Sequence, residues 1–175
     1  MPNWCESQTE ITGSIEEVTR FVNLLRPPLY PDSPNDITLL GSFIPRPNSF
    51  SLGSEKNVLD WSRQNWGTKW EDESTIRGVI DLPDNKRKIV ISTYTAWDAP
   101  IIGWMTISKQ FPNLQFLISY NEPGMCFGGA ANIIDGEIRH SEFADKEFPS
   151  CEDWEDEDQI YIYYSNLMKL WHLFN

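Results

Sequence analysis

The sequence predicts an α+β fold, an antiparallel sheet with two helices on one face plus a C-terminal helix. Three observations carry that prediction. Short β-rich runs are separated by turn chemistry, two segments between them repeat their apolar residues at helical spacing, and a last apolar stripe follows an acidic run.

Residues 3–12, NWCESQTEIT, alternate loosely and end in β-branched residues before Gly13, the pattern of a strand and turn. Ser14 and Glu17 form an S-x-x-E capping box, and Val18, Phe21, Val22 and Leu25 share one face of a helix over Ser14 to Leu25. Pro27 and Pro28 stop it. From Arg26 to about residue 56 the chain is a Pro- and Ser-rich insertion, with one apolar island at Ile37 to Ile44 read as a short strand. Asn57 to Trp66 reads as a helix closed by Gly67. Beyond the acidic residues 71–73, Thr75–Leu82 and Lys88–Thr95 form a hairpin through Pro83-Asp84-Asn85. Pro100 opens a helix reaching Gln110. Leu114–Tyr120 and Cys126–Ile134 are further strands, and Asp135-Gly136 is a two-residue turn into Glu137–Ser141. Strand, helix, insertion, hairpin, helix and meander in this order suggest a split βαβ arrangement of ferredoxin-like type. The expected organisation is one domain over residues 1–144, with its insertion at about 26–56, then an acidic segment and C-terminal helix over 145–175.

Charge divides the chain unevenly. Of the formal net charge of −12, residues 141–175 hold nine acids against two lysines. CEDWEDED, residues 151–158, places six carboxylates within seven positions, and Ile160, Tyr164, Leu167, Trp171 and Phe174 then repeat as one helical stripe. Such a surface repels phosphate backbones, so no direct nucleic-acid binding is expected, while a basic protein is attracted. The RNP pattern of base-stacking sheets is absent, although Phe116, Tyr120 and Phe127 could be offered for that role. No run of about 18 apolar residues spans a membrane, and MPNWCESQTE lacks the features of a signal peptide; a cytoplasmic protein is expected. Three scattered cysteines, Cys5, Cys126 and Cys151, and two histidines, His140 and His172, offer no metal-ligand spacing, so neither metal nor cofactor is expected.

DWSRQNWGTKW, residues 60–70, holds Trp61, Trp66 and Trp70. The indoles and Trp97 either pack a core corner over one end of the sheet, with the Lys69 stem across an indole, or line a groove; clustered tryptophan ordinarily means burial. Asp98 and Glu122 flank Trp97 and Pro123 and could form a carboxylate pair, although sequence separation fixes no distance. Cys126 is a nucleophile only with a base, and no histidine lies near it in sequence. In the acidic run Trp154 is an apolar anchor among carboxylates, suited to a basic groove.

MPNWC (1–5), WGTKW (66–70), TAWDAPI (95–101), FPNL (111–114) and YNEPGMCFGG (120–129) together resemble the YubB-like proteins of phages and conjugative plasmids. The likeness runs over residues of about 1–140 and implies a ferredoxin-like domain, an accessory role on mobile elements, the host cytoplasm as location, and no catalytic assignment. Glu71 and the Asp98-Ala99-Pro100 triplet depart from the family pattern, which has a neutral residue and Ser-Pro-Pro there. The leading expectation is a non-enzymatic accessory protein that binds a basic protein partner, an inhibitor of a nucleic-acid-directed host defence (anti-CRISPR or anti-restriction) acting as a polyanion mimic. Its candidate binding residues are Glu152, Asp153, Trp154, Glu155, Asp156, Glu157 and Asp158, with Trp66, Lys69 and Trp97. The alternative is an assembly protein forming a homodimer through residues 159–175; a small hydrolase using Asp98 and Glu122 comes third.

Overall fold

A computed structural model of the chain describes residues 3–144, with the exception of residues 123 and 126. The acidic segment and the apolar stripe beyond it therefore lie outside the described residues, as do Cys126, Cys151 and His172.

Strand β1 (Trp4–Ser14) leads into helix α1 (Ile15–Leu24), where the Ser14 hydroxyl accepts the Glu17 N–H as the N-cap. The reciprocal half of the expected capping box is missing, because the Glu17 carboxylate turns to Arg20 at 2.9 Å. The insertion holds β2 (Asp36–Ile37), α2 (Leu40–Phe43) and α3 (Ser49–Leu52). Here the apolar island expected as one strand becomes a two-residue strand and a helical turn. The cause is tertiary: the Glu71 carboxylate captures the N–H groups of Leu39 and Leu40 and curls the backbone at that point. Helix α4 (Glu55–Trp66) is capped by Ser54 and closed by Gly67 at φ 84°. The hairpin β3 (Glu71–Leu82) and β4 (Lys86–Ala96) turns at Asp84 and Asn85, both at positive φ; its first strand begins at Glu71, inside the acidic stretch. Helix α5 (Ile101–Gln110) and the meander β5 (Gln115–Glu122), β6 (Phe127–Ile134) and β7 (Glu137–Ala144) follow, with Asp135 and Gly136 at positive φ in the last turn.

The seven strands form one sheet in the order β2-β3-β4-β1-β5-β6-β7, every pairing antiparallel. The first strand in sequence is thus the middle strand in space. Along β1, Cys5, Ser7, Thr9 and Ile11 are buried whereas Glu6 and Gln8 are exposed. The register sets Ile11 beside Ile89 and Phe116, and Thr9 beside Ile91 and Ile118, so the buried residues of three central strands align. The core on that face is aromatic: Phe21 stacks on Phe43 at 4.8 Å and meets Phe111 and Phe116 edge-on, while the Trp104 and Phe116 centroids lie 5.5 Å apart. Among the described residues no helix is long and apolar enough to cross a membrane.

Candidate functional site

The WGTKW turn and the TAWDAPI loop meet at one end of the sheet because their backbones are tied together. Gly67 ends α4 in the left-handed region, and a β-carbon there would come within 3.3 Å of the Ile102 backbone nitrogen. Thr68, fully buried, donates its hydroxyl to the Ala96 carbonyl at 2.8 Å, and the Ala96 N–H returns to the Trp70 carbonyl at 3.2 Å. Trp97 stands at φ 77°, a conformation costing on the order of 1–3 kcal/mol for a bulky residue, and is held there by its N–H bond to the Asn3 carbonyl at 2.9 Å.

The indoles divide between the two readings the sequence allows. Trp66 is core: it is 5% exposed, its N–H donates to the Ile44 carbonyl at 3.0 Å, and Trp61 meets it edge-on at 5.6 Å. Trp97 is half-buried, with the Lys69 ammonium 4.3 Å from its ring centroid. A second cation completes the patch: the Arg46 guanidinium lies 4.6 Å from the Trp66 centroid and within 3.5 Å of the Lys69 carbonyl. Burial against the indole lowers the Arg46 pKa from its ordinary range. Trp66, Lys69 and Trp97, singled out in the sequence, are therefore assembled at one place. The seven residues Glu152, Asp153, Trp154, Glu155, Asp156, Glu157 and Asp158 lie outside the described residues.

Arg46, Trp66, Trp70, Gly41 and Glu71 line a pocket of about 180 Å³ between the insertion and β3. Glu71 contributes the acid to this lining. One carboxylate oxygen accepts the Leu39 N–H at 2.5 Å and the Ser74 hydroxyl at 2.7 Å, the other accepts the Leu40 N–H at 2.8 Å. Desolvation by burial raises the Glu71 pKa, and these hydrogen bonds work against the rise. Sequence reasoning missed Arg46 and read Glu71 only as one of the acidic residues 71–73 ahead of the hairpin. Arg46 sits in an aperiodic Pro-rich stretch, and only the departure of Glu71 from the family pattern marked it.

The carboxylate pair imagined from sequence has other work. Glu122 is buried and accepts the N–H groups of Gly124 and Met125 at 2.9 and 2.5 Å, which caps the turn before β6. The Asp98 side chain is exposed, and its carbonyl accepts the Thr95 hydroxyl at 2.7 Å. Both charges lie close enough to Cys5 to push its thiol pKa up, after burial, which is the larger cause. A thiol held protonated in this way is a poor nucleophile. Phe116 and Tyr120 are buried in the aromatic core, and Phe127 packs against it, so these rings do not stand on an open sheet face. Among the described residues no cluster of three or more His, Cys, Asp or Glu is arranged to hold a metal ion.

Comparison with known proteins adds a family. A profile described as the ferredoxin-like domain in Api92-like protein matches residues 65–163. The match begins later than the likeness read from the motifs and runs past the last described strand. Among solved structures the chain is similar to a protein api92 from Yersinia pseudotuberculosis, at 16% identity and a TM-score of 0.42, covering 62% of this chain and 40% of that one. No curated protein matches the chain.

Proposed function

We propose, from the premise that this chain belongs to the family carrying the ferredoxin-like domain of Api92-like proteins, that it is a non-enzymatic binding protein whose acidic segment engages a basic protein partner. The observation that carries this reading is the charge distribution: nine acids against two lysines in residues 141–175, a stretch that begins within the edge strand β7. The fold supplies the mount. Both β1 and β3 run antiparallel to β4, which lies between them, and both β4 and β5 run antiparallel to β1. That order supports two split βαβ units with α1 and α5 on one face, a rigid base from which a charged segment can project.

The side chains best suited to chemistry support the same reading, since Glu122 is committed to a turn and Cys5 is buried and protonated. The likeness to YubB-like proteins supports a finer version, an accessory protein of a phage or conjugative plasmid acting in the host cytoplasm. In that version spaced carboxylates imitate a phosphate backbone and occupy the channel of a nucleic-acid-directed defence enzyme.

The test is a binding measurement on the full chain. A basic host protein is expected to form a stoichiometric complex that weakens steeply between about 0.05 and 0.5 M salt, as screening shortens the Debye length. Replacing the six acids of residues 151–158 by Asn and Gln is expected to abolish it. Retention of every partner by that variant would remove the reading. Dimerisation lost on deleting residues 159–175 would favour the assembly role instead.

A further inference from the structure

The insertion leaves two large apolar side chains in water. Leu29 and Tyr30 are 83% and 86% exposed, more than any other large hydrophobic residue among those described. They belong to the run Pro27-Pro28-Leu29-Tyr30-Pro31, and among the described residues none of these five makes a hydrogen bond. Its three prolines fix φ at about −65° and remove N–H donors, so the run is stiff and unsuited to adding a strand to the sheet.

Both ends of the run are pinned. On one side Arg26 donates its N–H to the Ser42 hydroxyl at 2.9 Å, and its carbonyl accepts the Thr38 N–H at 2.7 Å. On the other, one oxygen of the Asp36 carboxylate accepts the N–H groups of Asp32 and Ser33 at 2.9 and 2.7 Å. The second Asp36 oxygen accepts the Thr75 hydroxyl of β3 at 3.1 Å, which fastens that end to the sheet. Pro28 is half-buried and lines the pocket with Trp66 and Trp70, while Pro27 and Pro31 are exposed like the two residues between.

We propose that residues 27–31 are a displayed docking peptide for a partner protein whose groove is walled by aromatic rings, the kind of groove that reads proline-rich chain. The chemistry on show selects this occupant. A pyrrolidine ring slots between flat aromatic walls, and the Tyr30 ring fills an adjoining hollow with its hydroxyl at the wet rim. Because the run is stiff and held at both ends, docking costs it little conformational freedom. This contact goes beyond the acidic-segment reading and does not depend on it.

The probe is a purified WW domain, a small module with such a groove. Titrated with the unmodified full chain, its NMR signals are expected to shift at the groove aromatics and to saturate. Tyr30→Ala and Pro27→Ala are each expected to weaken binding at least about tenfold, with the unfolding midpoint unchanged because both side chains are exposed. Raising salt from about 0.05 to 0.5 M is expected to change the affinity less than about twofold, unlike capture by the acidic segment, so the two readings fail separately. Equal affinity for wild type and Tyr30→Ala overturns the proposal, as does the absence of groove shifts at about 1 mM chain. Binding by a free peptide of residues 26–34 but not by the full chain overturns the display. Tyr30-dependent sedimentation with phosphatidylcholine vesicles, without WW binding, assigns the run to a membrane surface instead, and Tyr30-dependent self-association without WW binding assigns it to a second copy; either result sinks the docking role.

Discussion

Glu71 joins the insertion to the sheet, since one carboxylate holds the N–H groups of Leu39 and Leu40 and the Ser74 hydroxyl at once. Burial raises its pKa above the ordinary value of 4.5, so the folded chain binds this proton more tightly than the unfolded chain does. By linkage its contribution to stability is greatest in acid and declines as pH rises from the unfolded value through the raised folded one. Asp81 and Glu17 act in the opposite sense, because Arg87 and Arg20 lower their pKa values. The Glu71 contribution therefore emerges as the difference between wild type and Glu71→Gln. In the variant an amide nitrogen faces backbone donors, at a cost of about 1–3 kcal/mol. Urea unfolding between about pH 4 and 8 is expected to show the wild-type advantage narrowing as pH rises; a gap that widens would refute burial as the dominant influence. At Gly67 the argument is conformational. Its φ of 84° and its closeness to Ile102 predict that Gly67→Ala costs about 1 kcal/mol or more, read as a lowered denaturation midpoint.

Helices α4 and α5 approach closely because Gly103 faces Trp66 and Leu40 without a side chain. A β-carbon at Gly103 would lie 2.8 Å from Leu40 Cδ2 and 3.3 Å from the Trp66 carbonyl oxygen. Leu40 can yield a little, but the backbone of α4 cannot, so Gly103→Val is expected to cost about 1–3 kcal/mol by overpacking. Gly78 on β3 is the control: nothing lies within 4 Å of its would-be β-carbon, and Gly78→Val is expected to be neutral or stabilising in the same unfolding assay. Elements of this kind differ in how far sequence discloses them. Ser14, the Asp84-Asn85 turn and Asp135-Gly136 act on their immediate neighbours, and the corresponding helix start and hairpins were legible. The turn at Leu40–Phe43 is set by Glu71, 31 residues away, so no local period reveals it. The site was half legible for the same reason. Trp66, Lys69 and Trp97 announce themselves through tryptophan motifs, whereas Arg46 reaches its indole across a folded insertion.

At the scale of the whole molecule the sheet is ordered from its middle outward by contacts distant in sequence. β1 pairs with β4 and β5, at sequence separations such as that between Ile11 and Phe116, and it lies between them in the sheet. The recognised domain starts at residue 65, so the matched span omits the strand on which both of its halves depend. Without residues 4–14, β4 and β5 each lose a full hydrogen-bonded neighbour, and Ile89, Ile91, Phe116 and Ile118 lose the layer supplied by Thr9 and Ile11. Two unpaired central edges and an exposed apolar face cannot offset the entropy of ordering the remainder. A fragment covering residues 65–175 is accordingly expected to give no cooperative thermal transition and to aggregate. The same fragment co-expressed with residues 1–64 is expected to recover a cooperative melt, because β1 arrives complete with α1 and the insertion. A sharp melt from 65–175 alone would show that β4 and β5 can close the sheet directly, and would overturn the dependence of both halves on β1.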